Sequence, residues 1–518
     1  MSGKNIVKST CKACHGGCGV FVTVENGIIT YIEGDPESPT RGTMCAKGLA
    51  SIQHINHPDR LRYPLKRVGN RGEGRWARIS WDEALDTIAG KMKELIEQYG
   101  ANAICNSQGT GRGYNRYTVR LGGSIGTANR GLGSSHICYF PRLRAFEATF
   151  GINRLYCDYH GWGGEFPKTQ VSWGKQIEYS NSDGEMAVWF FDSLKYAKNL
   201  ILVDPRATSI ANRANLWLQI RPGTDAALAL GMMHVIINEN IYDKEFVTNW
   251  TYGFDKLKER VQEYPPDKVA EICWVPADKI IESARVYATS KPAIMSCGVK
   301  LDQIGKNSTQ AIRSQCILRA VTGNLDVEGG EPFGLTGDVL RAISDYEMEV
   351  QDKLSPEQRQ KQIGADQFKL FGWPGYEMIC KPSDGVLYVS PPTVTLSCAA
   401  HEPSVWRAML TGKPYPVKAL IAQANNPMLQ HTNTRLVYDA LRALDLLVVM
   451  DYFMTPTAML ADYVLPAADW LERPVVSAID GTRNFIVAGE RSVEPEHERR
   501  DDYQLWRGLG VRLGQEEY

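Results

Sequence analysis

The sequence predicts a multidomain α/β protein, a small β-rich metal-holding domain followed by two doubly wound, Rossmann-like parallel-sheet domains. Three observations predict this. Four cysteines fall within the first 45 residues. Apolar runs that end in loops bearing glycine, aspartate or asparagine recur along the body, as strand–loop–helix units do. Finally, 518 residues are too many for one hydrophobic core. A hydrophobic content of 43% and a charged content of 23% are ordinary for a soluble globular protein. The net charge is −1 and no long run of like charge occurs, which argues against nucleic acid as a partner. The opening "MSGKNIVKST" holds neither an apolar signal region nor twin arginines. The longest apolar run, Ala226 to Ile237, is too short to span a bilayer and contains His234. The expected compartment is the cytoplasm, where the twelve cysteines serve as ligands or buried thiols rather than disulfides.

Cys11, Cys14, Cys18 and Cys45 read C-x2-C-x3-C-x26-C. Three thiolates on one turning loop, met by a fourth from farther along, can cage an inorganic centre. Structural zinc prefers paired C-x2-C knuckles, whereas an iron–sulfur cube accepts this spacing with a remote fourth ligand. Gly16, Gly17 and Gly19 let backbone approach sulfide and supply amide donors to a negative cluster. The pattern favours a [4Fe-4S] cluster over zinc. Lys47 comes two residues after the last cysteine. A lysine is usually a solvated charge, but here it can lie between the cluster and a second, anionic cofactor.

The elements come in order. "VFVTVENGIITYIEG" alternates and turns at Asn26-Gly27, as a β-hairpin does. In "SWDEALDTIAGKMKELIEQYG", Ser80 and Glu83 form a capping box, Leu85, Ile88, Met92, Leu95 and Ile96 repeat at helical spacing, and Gly100 ends the helix. "AICN" is a strand that runs into the glycine loop "SQGTGRG". "NLILVDPR" and "LLVVMDYF" are strands finishing at Asp204 and Asp451, roughly 250 residues apart. An acid at the carboxyl end of a parallel strand can accept from ribose or from guanine N–H groups; capping a following helix is the plainer alternative. In "RPGTDAAL", Asp225 stands where a helix begins, suited to either role. "ALIAQANNPM" is a strand entering Asn425-Asn426-Pro427, turn formers that can also donate to phosphate.

The cysteine spacing, "CAKG", "LVDPR", "RPGTDAAL", "ANNP" and "MTPTAMLADYVLPAADWLER" stand in one order along the chain. Together they resemble the dimethyl sulfoxide reductase family, molybdenum or tungsten enzymes of bis-molybdopterin guanine dinucleotide, over essentially all residues. The resemblance implies a pterin beside the cluster, the second cofactor that Lys47 needs. It implies that Asp204, Thr208 and Asp225 hold one guanine dinucleotide and that Asn425, Asp451 and Thr457 surround the other. Gly109, Gly111, Trp173, Gly174, Gly223 and Asn426 complete the cofactor-binding set. "GSSHICYFPR" matches the stretch that completes the metal's coordination, which puts Cys138 in that role. A thiolate suits a soft, high-valent metal; the plainer fate is a buried small hydrophobe. The other seven cysteines, Cys105 and Cys297 among them, read as core residues. The implied domains are 1–62 around the cluster, 63–135 with 330–465 and 136–329 as the two pterin-binding domains, and 466–518 as a return segment toward the first.

Three features depart from the family pattern. Many relatives read "WGxNP" where this chain has Trp173-Gly174-Lys175-Gln176. "FDKLKERVQEYPPDKVAEI" and "RLRYPLKRVGNRGEGRWARISWDEALD" look most like acetylene hydratase, the tungsten member that adds water without net redox. That member has an aspartate directly after its second cluster cysteine, where this chain has His15. The family's closing C-terminal β-barrel is expected to be absent, since the sequence stops at a helical stretch. The expected function is a redox catalytic subunit of anaerobic metabolism, moving an oxygen atom or hydride equivalent between metal and a small-molecule substrate. Electrons would pass through the cluster to a ferredoxin or a further iron–sulfur subunit. The alternatives are a tungsten hydratase and a non-catalytic electron-transfer subunit. His136, His160 and His15 are the candidates for handling protons.

Overall fold

The computed structural model describes residues 3–14, 16–109, 115–133, 140–152, 155–180, 187–303, 305–333, 354–380, 398–478 and 486–515. Its strands, in chain order, are β1 (Lys4–Thr10), β2 (Gly19–Glu25), β3 (Ile28–Gly34), β4 (Leu65–Arg67), β5 (Trp76–Arg78), β6 (Ile104–Gln108), β7 (Leu132–Gly133), β8 (Thr169–Trp173), β9 (Asn199–Val203), β10 (Leu216–Leu218), β11 (Ala293–Cys297), β12 (Ala419–Gln423), β13 (Leu446–Asp451) and β14 (Tyr463–Pro466). A further hairpin pairs Val475–Ala478 with Ile486–Gly489. Two compact units divide the chain. One takes Met1–Ile137, Asp338–Ile479 and Asn484–Tyr518; the other takes Cys138–Gly337 with Asp480–Arg483.

In the first unit, β1, β2 and β3 form an antiparallel meander whose tight turn is at Asn26 and Gly27, both left-handed. Its seven-stranded sheet has the order β5-β4-β14-β13-β12-β6-β7, and the five strands from β14 to β7 run parallel. The helix Trp81–Tyr99 covers one face, burying Leu85, Ile88, Met92 and Leu95 as the spacing predicts, together with Trp506 and Leu509 of the helix Asp502–Arg512. Ser80 Oγ accepts from the Glu83 amide at 3.0 Å, and Gly100 ends the helix at φ 83°. The helices Glu402–Thr411 and Thr434–Arg442 cover the other face.

The second unit is a four-stranded parallel sheet in the order β10-β9-β8-β11. It packs Met232, Met233 and Ile236 of Asp225–Asn238, with Ile280 and Ala284 of Ala277–Thr289, into one core. Chain order reverses between β6 and β12 in the large sheet and between β8 and β11 in the small one. Each reversal marks the place, beyond the strands' carboxyl ends, where doubly wound sheets take ligands.

One buried ion network fastens the start of the first unit to its end. Arg60, fully buried, donates to Glu472 Oε2 at 2.8 Å and Oε1 at 3.2 Å, and Arg499 donates to the same Oε1 at 3.2 Å. Glu472 also caps its own turn by accepting from the Asp469 amide at 2.7 Å. Removing that carboxylate leaves Arg60 without its counter-charge in a dry setting and Arg499 with only the exposed Glu496, 3.6 Å away. Glu472→Ala should therefore lower the stability of this unit by about 3–5 kcal/mol, seen as an earlier unfolding midpoint in denaturant; an unchanged midpoint would refute it.

Candidate functional site

Cys11 comes directly after β1 and Cys18 directly precedes β2, so the meander's first turn presents both from one closed loop, pinned by the Cys11 amide donating to the Cys18 carbonyl at 2.8 Å. The Gly16 amide reaches Cys14 Sγ at 3.3 Å, and Gly17 takes φ 67°, so the glycines bring amides onto sulfur. Cys45 is the N-cap residue of the short helix Ala46–Leu49. That helix comes close: a Cβ on Gly48 would lie 3.1 Å from Cys11 Sγ. The four thiols converge electrostatically. Burial pushes the Cys11 thiol well up, with repulsion from Cys18, Cys14 and Cys45 adding to it. Burial likewise pushes Cys18 up to about 12, opposed in part by the positive charge of Lys47. Four thiolates cannot be buried together uncompensated; a cationic iron core with amide donors around it is what this donor set suits. Among the described residues no three His, Cys, Asp or Glu side chains form a single-ion site. Lys47 is exposed on the short helix. His15 lies outside the described residues, as do Gly111, His136 and Cys138.

In the first unit the sequence-derived residues gather at the reversal between β6 and β12. Gly109 leaves β6 with its amide on the Gln423 carbonyl at 3.0 Å, and a Cβ there would collide with the Ala424 carbonyl. Asn425 is buried and donates to Ser107 Oγ, while its Oδ1 and the Oε1 of Gln108 are buried without hydrogen-bond partners among the described residues. Thr457 Oγ1 donates to Asn426 Oδ1 at 2.7 Å. Asp451 ends β13 and accepts from the Tyr452 amide at 2.6 Å; it caps no helix. Burial raises its carboxyl to about 6, against the pull of the Tyr452 and Phe453 amides and His54.

The second unit repeats the arrangement. Trp173 ends β8 fully buried, and its Nε1 donates to Asp225 Oδ1 at 2.8 Å. The N-cap of the helix is Thr224, so the carboxylate of Asp225 is turned to this tryptophan, and burial raises its pKa. Gly174 takes φ 59° with its amide on the Val203 carbonyl at 2.7 Å. Asp204, just past β9, holds the Arg206 amide at 2.8 Å. Thr208 Oγ1 is buried with no hydrogen-bond partner among the described residues. Gly223 turns at φ 85° ahead of Asp225. Where the family motif is altered, Lys175 is buried and Gln176 accepts from Arg206 at 3.0 Å. His160, partly buried, stacks on Trp162 with ring centroids 5.3 Å apart, and Asp158 takes its backbone amide at 2.9 Å. Unpartnered polar atoms and close-approach glycines at the carboxyl edges fit a polar dinucleotide group. Cys105, Cys157, Cys273, Cys297, Cys316 and Cys398 are buried. The sequence reading missed Glu402, which is buried and accepts from the Gly133 amide, and His431, whose Nδ1 lies 2.9 Å from the same carboxylate.

The molybdopterin oxidoreductase family model matches residues 60–154 and 162–512, and that for the molybdopterin oxidoreductase Fe4S4 domain matches residues 5–57. Acetylene hydratase of Syntrophotalea acetylenica is 39% identical across 98% of this chain and 69% of its own length. The molybdopterin-containing subunit of thiosulfate reductase from Salmonella typhimurium is 29% identical across 100% and 65%, and formate dehydrogenase H of Escherichia coli 28% across 98% and 68%. Among solved structures, acetylene hydratase from Pelobacter acetylenicus superimposes with a TM-score of 0.88 at 36% identity, covering 99% of this chain and 70% of that one. The chain thus spans roughly two thirds of the length of these relatives.

Cys18→Ser should abolish cluster iron, read as lost absorbance near the visible sulfide-to-iron band and as iron per chain; full iron retention would exclude Cys18 as a ligand. For Asp451 the sign runs against the carboxylate. Its folded pKa lies above the ordinary value of 3.8, so the folded protein keeps a proton that the unfolded chain gives up. The resulting penalty grows as pH rises from about 4 to about 6 and stands in full above that. Asp451→Asn should stabilise cofactor-depleted protein at pH 7, by about 3 kcal/mol at most, and not at pH 4. An equal gain at both pH values would contradict this.

Proposed function

The chain belongs to the molybdopterin oxidoreductase family, and from that premise we propose that it is a redox catalytic subunit that uses a bis-guanine-dinucleotide cofactor with its [4Fe-4S] cluster as the electron port. The observation that carries this is the convergence of Cys11, Cys14, Cys18 and Cys45 with the Lys47 charge felt at Cys18. A cluster built so close to the surface helix Ala46–Leu49 serves electron exchange with a soluble iron–sulfur partner such as a ferredoxin. Among the described residues no helix is long and apolar enough to cross a membrane.

Bound molybdopterin supplies the molybdenum or tungsten at which oxygen-atom or hydride-equivalent exchange takes place. The chain's own residues bind and orient. In one unit Asp204, Thr208, Gly223 and Asp225, the last steadied by Trp173, would hold one dinucleotide, and Gly174 would let it approach the backbone closely. In the other unit Asn425, Asn426, Asp451 and Thr457 would hold the second, with Gly109 and Gly111 as further cofactor-binding residues. Cys138 gives its thiolate to the metal. Lys47 places a positive charge beside the cluster, which stabilises its reduced form. His136, His160 and His15 are the groups through which protons enter and leave.

A second reading, hydration of an alkyne, is favoured by one specific observation: 39% identity with acetylene hydratase along 98% of this chain. The two readings differ in electron balance. Assayed with a viologen dye, the holoenzyme should exchange electrons with one of the substrates named for its redox relatives, thiosulfate, formate or dimethyl sulfoxide. In a sealed mixture with acetylene and no donor or acceptor it should form no product. Steady product formation there would overturn the redox reading and establish hydration.

A further inference from the structure

Beside the reversal between β6 and β12 lies a carboxylate–imidazole pair that neither the motifs nor the functional reading accounts for. Glu402 is the first residue of the helix Glu402–Thr411, where the helix dipole favours a carboxylate, and its side chain is 1% exposed. Its Oε1 accepts from the amide of Gly133, the last residue of β7, and its Oε2 lies 2.9 Å from Nδ1 of His431. The His431 side chain is 9% exposed and its ring meets Trp406 edge-on, with centroids 5.5 Å apart. A carboxylate so deeply buried needs a polar group or counter-charge close by, and Nδ1 is the ring nitrogen turned toward it. The other ring nitrogen, Nε2, is buried and has no hydrogen-bond partner among the described residues. The same holds for Oδ1 of Asn425, six residues earlier on the loop that leaves β12; its Nδ2 is also the atom nearest to a Cβ built on Gly133.

A purely structural histidine at this depth would be expected to satisfy both nitrogens. Here one nitrogen faces a carboxylate and its opposite has no hydrogen-bond partner among the described residues, beside the carboxyl end of β7 in a parallel sheet. We propose that His431, oriented by Glu402, is a further binding residue for the molybdopterin cofactor, giving its Nε2 to the cofactor's polar edge. The ligand chemistry is that of a pterin amide or a pyrophosphate oxygen, either of which accepts from an imidazole N–H. The inference rests on the reading that this edge holds the cofactor.

The test separates the two nitrogens. His431→Asn keeps an amide where Nδ1 lies, near Glu402, and removes the distal donor; His431→Gln places an amide where Nε2 lies. Both variants are purified as holoenzyme, denatured, and assayed for extracted pterin and for iron per chain. His431→Asn should retain about tenfold less pterin than the wild type with iron unchanged, while His431→Gln stays near wild type. Pterin lost from both variants with iron intact also supports the proposal. Pterin retained in full by His431→Asn overturns it, and so does pterin lost only in step with iron, which would mark a structural role. Wild-type protein that yields no pterin would instead overturn the cofactor reading on which this depends.

Discussion

A polar atom taken out of water must find a partner, and that requirement shapes both the scaffold of this protein and its strand ends. In the scaffold, a single buried carboxylate can serve several donors at once. Glu472 commits both oxygens to Arg60, Arg499 and the Asp469 amide. At the strand ends some polar atoms stay open: Asn425 Oδ1, Gln108 Oε1, Thr208 Oγ1 and His431 Nε2 are buried without partners among the described residues. Leaving a donor or acceptor unmade costs roughly 1–3 kcal/mol each, which is tolerable only if something else completes it. All four of these open atoms lie near carboxyl ends of parallel strands, the edge at which a doubly wound sheet meets its ligand.

The same requirement acts on the thiols. Cys11 and Cys18 are buried, mutually repelling and hard to ionise as they stand. A metal core reverses that balance, because a thiolate bound to iron is no longer an uncompensated charge. Metal binding and the ordering of ligand loops are coupled in this way as a general rule. The meander β1–β3 provides the rigid part of the cage, and the short helix after Cys45 closes it from the side.

Local chemistry was readable in the sequence and distant pairing was not. The apolar runs ending at Gln423 and Asp451 are strands because five consecutive buried residues suit a sheet covered on both faces. The helix Trp81–Tyr99 begins and stops where a serine and a glycine say it should. Asp225 shows the boundary of such reasoning. Its position at a helix start offered capping or ligand contact, but the carboxylate goes to Trp173, fifty-two residues earlier. Glu402 gave no signal at all, since its partners Gly133 and His431 meet it only after β7 and β12 have taken their places in the sheet. His431 stands only four residues beyond Pro427 of "ANNP", yet a histidine after a turn has no pattern that marks it for binding.

Likeness along the chain and likeness in chemistry answer to different residues. Thirty-nine per cent identity with a hydratase and 28–29% with a dehydrogenase and a reductase extend over nearly all of this chain. Most of that shared sequence must therefore be scaffold: strands, glycine turns and polar strand ends that hold one cofactor for several reactions. Adding water and transferring electrons differ in what happens to protons and to the metal's charge, and a handful of side chains near the metal controls both. In the sequence His15 directly follows Cys14. Under the redox reading proposed above, a histidine at this position, which can carry positive charge, would lower the cost of adding an electron to an anionic cluster, whereas an acidic group would suit proton transfer to a neutral substrate.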